Sequence, residues 1–404
     1  MRLHRNLVFA VIRTLHQIFN EQVYADKAVE KVLKSDPRWG SRDRGFIAET
    51  VYDIVRWKRL YAEIASVSEP FHQEGLFRLF TVWATLKGIS LPPWEEFGLV
   101  PTRRIKGRFD ELSQIRKFRE SVPDWLDEMG SDALGEDLWS QELKALNKVA
   151  PVVLRTNTLK SSRDDLKKAL AIEKIQAASI KNYPQALVLE QRSNIFRTEA
   201  FKSGLFEVQD ASSQKVAPFL DAKPGMRIID ACAGAGGKAL HLACLVENKG
   251  QIIALDIYSQ KLKELKRRAR RNGAHNIETR LIDSNKVIKK LHGKADRVLI
   301  DAPCSGLGVL RRNPDAKWKL EKDFVLKLIE QQADILERYA AMVKPGGKLV
   351  YATCSILPQE NEAQIVRFLK TDAGQSFQLE QEEHLWASKT GFDGFYMARL
   401  SKRN

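Results

Sequence analysis

From about residue 206 onward, short apolar runs rich in β-branched residues alternate with helical segments. The runs are GMRIIDACAG, GQIIALDIY, IETRLIDSN, DRVLIDAPCS and GGKLVYATCS, and the segments between them include GKALHLACLV, QKLKELKRRARRNG and FVLKLIEQQADILERYAAMV. Parallel strands are buried on both faces and need helical crossovers, so this alternation predicts a parallel sheet with helices on both faces, an α/β fold. The last stretch, GFDGFYMARLSKRN, is expected to form a final hairpin strand closing an edge of that sheet.

Open α/β sheets bind ligands at the carboxyl ends of their strands. Four runs close on Asp230, Asp256, Asp283 and Asp301, and the fifth on Thr353-Cys354. A single Asp after a strand is usually a turn former or a helix cap; four in succession on one rim point to a site. The first turn, DACAGAGGKALHLA, holds Gly234, Gly236 and Gly237 ahead of a helix start. It lacks the GxxxxGK[ST] phosphate loop and departs from strict GxGxxG. Asp256 follows about twenty residues on, where a carboxylate can take both ribose hydroxyls. Together these indicate an adenosine-type cofactor: NAD, which needs a hydride substrate, or S-adenosylmethionine, which needs a nucleophilic acceptor.

The chain has four cysteines without close pairing, which argues for a reducing, cytoplasmic setting over a disulfide framework. Cys244, inside LHLACLV, reads as core. Cys304 and Cys354 stand at strand ends, each followed by serine. They suit a structural pair or two parts of one catalytic cycle; a zinc site fits less well, because neither C-x-x-C nor a nearby His supplies ligand spacing. A reactive thiol needs its thiolate stabilised, and Lys238 is a candidate for that charge.

Upstream, residues 1–135 read as helical. NLVFAVIRTLHQIF puts Leu7, Val8, Val11, Ile12, Leu15, Ile18 and Phe19 on one face, and RDRGFIAETVYDIVRWKRLYAEIA repeats the pattern with Phe46, Ile47, Thr50, Val51, Ile54 and Val55. The basic, apolar-centred N-terminus is interrupted by Arg13, His16 and Gln17, so it reads as a helix and not a signal peptide. Pro92 and Pro93 break the run, GLVPTRRIKGRFD reads as a basic loop, and SVPDWLDEMG carries a helix start with Ser121 before Pro123. Residues 136–205 read as a small α+β unit: strands in PVVLRTNTL and QALVLE, and a Ser-capped helix in SSRDDLKKALA. Residues 206–404 are the α/β part. No run approaches the ~18 apolar residues of a membrane-spanning helix.

The formal net charge is +15, which favours a polyanionic partner. QKLKELKRRARRNG carries seven basic residues and one acidic residue between Lys261 and Arg271, as suits either an RNA contact or a solvated face. Arg311, Arg312 and Lys317 in GVLRRNPDAKWK directly follow the DAPCS segment and are the better candidates for nucleic-acid contact. Arg155 and Asn157 in LRTNTLK suit either RNA binding or bracing.

Several motifs together resemble the RsmB/Sun/Nop family of RNA cytosine-5 methyltransferases. DACAGAGGK resembles that family's first cofactor motif, DAPCSGLG its Pro-Cys motif and YATCS its Thr-Cys motif. VPDWL, LRTNTLK, GLFEVQDASSQ and GFDGFYMARLSK resemble its flanking segments, so the likeness runs from Ser121 to Lys402. DRGFIAETVYDIVRWKRL is similar to the NusB-related domain of bacterial members. Ala235 stands where many members have proline, a change in turn stiffness that should leave binding intact.

The resemblance implies a class I (Rossmann-like) S-adenosylmethionine-dependent methyltransferase domain, preceded by a small α+β RNA-binding unit and an all-α N-terminal domain. It implies Cys354 as nucleophile, Cys304 in product release, and Asp301 on the cytosine edge. Cys232, Ala233, Gly234, Ala235, Gly236, Gly237, Lys238, Asp256, Asp283 and Asp301 would hold S-adenosylmethionine, with Asp256 on the ribose and Asp283 near the adenine. The expected substrate is RNA, most readily 16S ribosomal RNA; tRNA is the alternative, and an RNA-binding ribosome assembly factor with a silent pocket is a third reading. No metal and no membrane partner are expected.

Overall fold

The structure is a computed structural model that describes residues 3–98 and 101–404. The chain divides into two compact units, one formed by Met1–Lys148 with Leu310–Lys322 and the other by Val149–Val309 with Asp323–Asn404.

The first unit is helical. Its opening helix, Arg5–Phe19, buries all seven residues of the expected face. Ser41–Arg56 buries Ile47, Thr50, Val51, Ile54 and Val55, then the helix breaks at Trp57 and resumes as Lys58–Ala65. The stretch expected as a basic loop is instead helical over Thr102–Leu112. Ile105 and Leu112, seven residues apart, are buried in it, and two apolar positions were too few to be seen among so many charges. Leu99 and Val100 of that stretch, and Met1 and Arg2 at the N-terminus, lie outside the described residues. The SVPDWLDEMG helix runs over Asp124–Leu134 without a side-chain cap. Ser121 accepts hydrogen bonds from the Arg59 and Leu60 amides.

The second unit holds two sheets. The smaller contains β1 (Val153–Thr156), β2 (Ala177–Ser179), β3 (Ala186–Leu189) and β4 (Phe206–Val208) in the order β2-β3-β1-β4, all antiparallel. The helix Arg163–Ile172 is capped by Ser162, whose hydroxyl accepts from the Asp165 amide at 3.1 Å. Residues 206–208 thus complete the small sheet and do not open the α/β part.

The larger sheet contains β5 (Arg227–Asp230), β6 (Gln251–Asp256), β7 (Ile277–Leu281), β8 (Ala295–Asp301), β9 (Val343–Thr353), β10 (Phe377–Leu385) and β11 (Phe395–Lys402). Their order is β10-β11-β9-β8-β5-β6-β7. β5 to β9 pair in parallel, while β11 lies antiparallel to β9 and β10. β11 is therefore interior and β10 forms the edge. β10 escaped the sequence reading because residues 378–382 are exposed and rich in Gln and Glu, so no apolar alternation marks it. This is the α/β Rossmann-like arrangement expected, and its core lies on both faces of β5, β6, β8 and β9.

Candidate active site

β8 and β9 are parallel neighbours with Asp301 opposite Ala352. The Ala302 amide extends the ladder to the Ala352 carbonyl at 2.9 Å. Both chains then leave the sheet at the same end, and the next few residues bring Cys304 and Cys354 together, Sγ to Sγ at 3.4 Å. Both are free thiols, well beyond the ~2.05 Å of a disulfide. The GLG that follows Cys304 packs against the Cys354 backbone: the Gly308 amide donates to the Cys354 carbonyl at 2.9 Å, and a Cβ on Gly308 would stand 2.3 Å from the Gly394 carbonyl oxygen. Only glycine permits that approach.

Lys238, near the start of the helix Gly237–Leu245, donates to Asp301 Oδ2 at 2.6 Å. Burial alone would lower the lysine's pKa, but the Asp301 carboxylate, and beyond it Cys354 and Asp230, hold it above its ordinary value. Lys238 thus stays charged on Asp301, and its charge also acts on the Cys354 sulfur, as a stabilised thiolate needs. Cys304 differs: its hydrogen bond with Cys354, followed by burial and the charges of Cys354 and Glu360, pushes its pKa well up. Cys304 is thus held protonated.

The glycine-rich turn expected to hold the cofactor is the loop between β5 and Gly237. Gly234 (φ +54) and Gly236 (φ +89) are in the left-handed region. A Cβ on Gly236 would meet Leu265 Cγ at 2.5 Å, whereas Gly234 faces open space, a cradle that a side chain would fill. Asp256 Oδ2 accepts from the Gly234 amide and Oδ1 from the Tyr258 amide, both at 2.8 Å. A carboxylate with about four lone-pair sites keeps acceptor capacity for a diol after two such bonds. Asp230 is fully buried with neither oxygen in a hydrogen bond of normal geometry. Burial, then the nearby Asp301 carboxylate, pushes it up to about 7 against the opposing Lys238 and Cys232 amide. An open glycine cradle, spare acceptors on Asp256 and an orphaned buried carboxyl fit the binding of S-adenosylmethionine. Asp283 lies two residues beyond β7 and is exposed. Cys232 is raised far above its ordinary value by burial, then by Asp230 and Asp301, and is no candidate thiolate. Ala233 is buried, and Ala235 offers its carbonyl to Arg268 at 2.7 Å.

Arg155 and Asn157 are buried. Arg155 donates to the Gly237 carbonyl at 2.6 Å and to Gln209. Asn157 donates to the Gly204 and Asn272 carbonyls at 2.7 and 2.8 Å, and accepts from the buried Cys244 thiol at 3.2 Å. Both are braces within the second unit. Arg311, Arg312 and Lys317 belong to the first unit. Arg311 and Lys317 are buried there, Arg311 on the Ala145 carbonyl at 2.7 Å and Lys317 on Asn147 Oδ1 at 3.2 Å. Arg312 is half-buried. On the helix Ser259–Asn272, Arg268 and Arg271 turn inward onto buried Glu207, while Lys261, Lys263, Lys266, Arg267 and Arg270 face solvent. Among the described residues no three His, Cys, Asp or Glu side chains are arranged to hold a metal, and no helix is long and apolar enough to cross a membrane.

Sequence reasoning missed Glu360, which joins the serines after the two cysteines. The paired Cys-Ser dipeptides were the available signal.

The family model described as 16S rRNA methyltransferase RsmB/F matches residues 217–401. A second, described as an RsmF/B-like methyltransferase ferredoxin-like domain, matches residues 122–196. Similar proteins include the probable ribosomal RNA small subunit methyltransferase B of Bacillus subtilis, 36% identical over 89% of this chain and 87% of that protein. The protein of the same name from Synechocystis is 30% identical over 98% and 99%. Among solved structures, the protein PH0851 is 25% identical with a TM-score of 0.84 over 100% of both chains. A methyltransferase homolog from Pyrococcus horikoshii is 28% identical with a TM-score of 0.63 over 71% of this chain and 97% of that one.

Proposed function

Because the chain belongs to the RsmB/F family and is an S-adenosylmethionine-dependent RNA methyltransferase, we propose that it methylates carbon 5 of a cytosine in small-subunit ribosomal RNA through a covalent adduct on Cys354. The observation that carries this reading is the contact of two thiols at 3.4 Å beside the Lys238–Asp301 pair.

Carbon 5 of cytosine is a poor nucleophile. A thiolate that adds at carbon 6 turns the ring into an enamine and makes carbon 5 nucleophilic. Cys354, next to Lys238, is suited to that addition. Asp301 hydrogen-bonds the cytosine edge and favours the protonated adduct. The Cys232–Lys238 turn, Asp256 and Asp283 would hold S-adenosylmethionine, which would supply the electrophilic methyl group. Once carbon 5 carries the methyl, a base must take its proton so that the carbon 6–sulfur bond breaks, and Cys304, held as a thiol against the departing Cys354 sulfur, assists this release. The target base must be unpaired or flipped out to reach the thiol. The exposed basic face of Ser259–Asn272 supports phosphate contact; the buried positions of Arg155, Asn157, Arg311 and Lys317 favour bracing roles for those residues.

The test is incubation with unmodified 16S rRNA and, separately, bulk tRNA, followed by mapping of 5-methylcytosine. Methylation of rRNA is expected; methylation of tRNA alone would overturn the substrate. Cys354→Ala is expected to abolish transfer and adduct, and Cys304→Ala to accumulate an RNA-linked protein on denaturing gels. The opposite pattern would make Cys304 the nucleophile.

A further inference from the structure

We infer that Glu360 is a positioning residue that holds Cys304 and Cys354 at contact distance, a role that rests on the reading of the two thiols as one catalytic pair. Glu360 is fully buried, in the short turn Pro358–Glu360 that follows the Cys354 segment. Its Oε1 accepts from the Ser305 amide at 2.8 Å and from Gln332 Nε2 at 2.9 Å. Its Oε2 accepts from the hydroxyls of Ser305 and Ser355. Those serines directly follow the two cysteines, and their hydroxyls lie 3.2 Å apart. One carboxylate therefore grips the residue after each thiol.

The rest of the turn is built around the same task. Asn361 accepts from Thr353 Oγ1 at 2.5 Å and donates to the Ser355 carbonyl at 3.1 Å, fixing the residues on both sides of Cys354. Gln332 also donates to the Pro303 carbonyl at 2.9 Å, fixing the residue before Cys304. Tyr351 anchors the Glu360 backbone carbonyl at 2.8 Å. A buried carboxylate is expensive unless every lone pair finds a donor. Merely closing this turn does not require one, since apolar residues of similar volume are often neutral or better. Holding the residue after each thiol in one geometry, which the backbone bonds between the two loops do not reach, is a task that a shared acceptor performs. Glu360 has a second effect in the same direction: its charge adds to the forces that keep Cys304 protonated.

The distance between the thiols can be read without RNA or cofactor. Diamide takes two electrons and two protons from a pair of neighbouring thiols; the pair becomes a disulfide and the azo compound a hydrazine. In the full-length chain, mass spectrometry of the Cys304–Cys354 linked peptide against time gives the joining rate. Glu360→Ala is expected to slow it at least ten-fold, and Glu360→Gln, which keeps an acceptor for the Ser305 amide, to recover most of it. An unchanged rate in folded Glu360→Ala would overturn the proposal. Should Glu360→Ala not fold, Ser305→Ala and Ser355→Ala each remove one arm. Each is expected to slow joining by about three-fold or more, the double variant less than multiplicatively, because both act through one carboxylate. Wild-type rates in both would overturn it. In methyl transfer, Glu360→Ala is expected to lower kcat at least ten-fold with KM for S-adenosylmethionine unchanged. Full activity in Cys354→Ala would sink the catalytic reading while leaving the joining rate to decide the role of Glu360.

Discussion

The rim of the large sheet and Asn157 just after β1 both bury polar groups, yet they spend them in opposite ways. After β1, every hydrogen-bonding group of the Asn157 amide is engaged: two backbone carbonyls, the Leu159 amide and a thiol. At the rim, Asp230 has no hydrogen bond of normal geometry, Asp256 keeps acceptor capacity, and Lys238 donates to one carboxylate, Asp301. Buried polar groups are normally satisfied within the protein. A cluster that is buried and unspent is a site waiting for a ligand, and one that is buried and spent is a brace. Residue type does not separate the two; remaining hydrogen-bond capacity does.

The largest effect that tests this contrast is at Lys238. Replacing it by alanine leaves Asp301 without its cation and Cys354 without the charge that favours its thiolate. Loss of one pre-arranged electrostatic group costs roughly 10²–10³ in rate, so Lys238→Ala is expected to lower kcat by about that factor. The sign of the pH effect follows from the lost cation: the rising limb of the rate profile moves to higher pH. A lower rate with an unmoved profile would place Lys238 in cofactor binding alone.

Legibility in the sequence followed the same division. The α/β core could be read because β5, β6, β8 and β9 are continuous apolar runs that end on Asp or Thr-Cys, a pattern set by local burial. β10 could not, because an edge strand facing solvent needs no apolar period. The helix Thr102–Leu112 was hidden by its charges. Asp230, Asp256 and Asp301 stand where expected, as the last residues of their strands, while β7 stops two residues short of Asp283. Lys238 near Cys354, 116 residues on, and Glu360 on Ser305, 55 residues back, depend on long-range pairings that no local pattern encodes. Basic residues were the least readable. Arg155, Arg311 and Lys317 have the composition of an RNA contact, but their guanidinium and ammonium groups are turned onto the protein's own carbonyl and amide oxygens.

The brace half of the comparison is tested by Asn157→Ala. The change leaves the Gly204 and Asn272 carbonyls unpaired in a buried setting. Each unpaired buried group costs about 1–3 kcal/mol, so a loss of about 3 kcal/mol in urea unfolding is expected. The RNA affinity of the folded variant and its dependence on salt are expected to match the wild type. A shallower salt slope with unchanged stability would move Asn157 into the RNA interface.

The most diagnostic test of unspent capacity is at Asp230. Its pKa in the folded chain is pushed up to about 7, by burial first and the Asp301 carboxylate second, against about 3.9 in an unfolded chain. Below pH ~4 the carboxyl is protonated in both states and costs nothing. Between pH ~4 and ~7 the unfolded chain ionises while the folded one still holds its proton, so stability falls as pH rises, by at most about 1.4 kcal/mol per pH unit for one proton. Above pH ~7 both states are ionised and the loss levels off. Asp230→Asn keeps the shape and removes the proton. Without cofactor, the stability of the variant minus that of the wild type is therefore expected to be flat below pH 4, to climb between pH 4 and 7, and to be flat again above. Parallel curves across that range would mean that Asp230 is as satisfied as Asn157, and the distinction between rim and brace would fail at its most buried member.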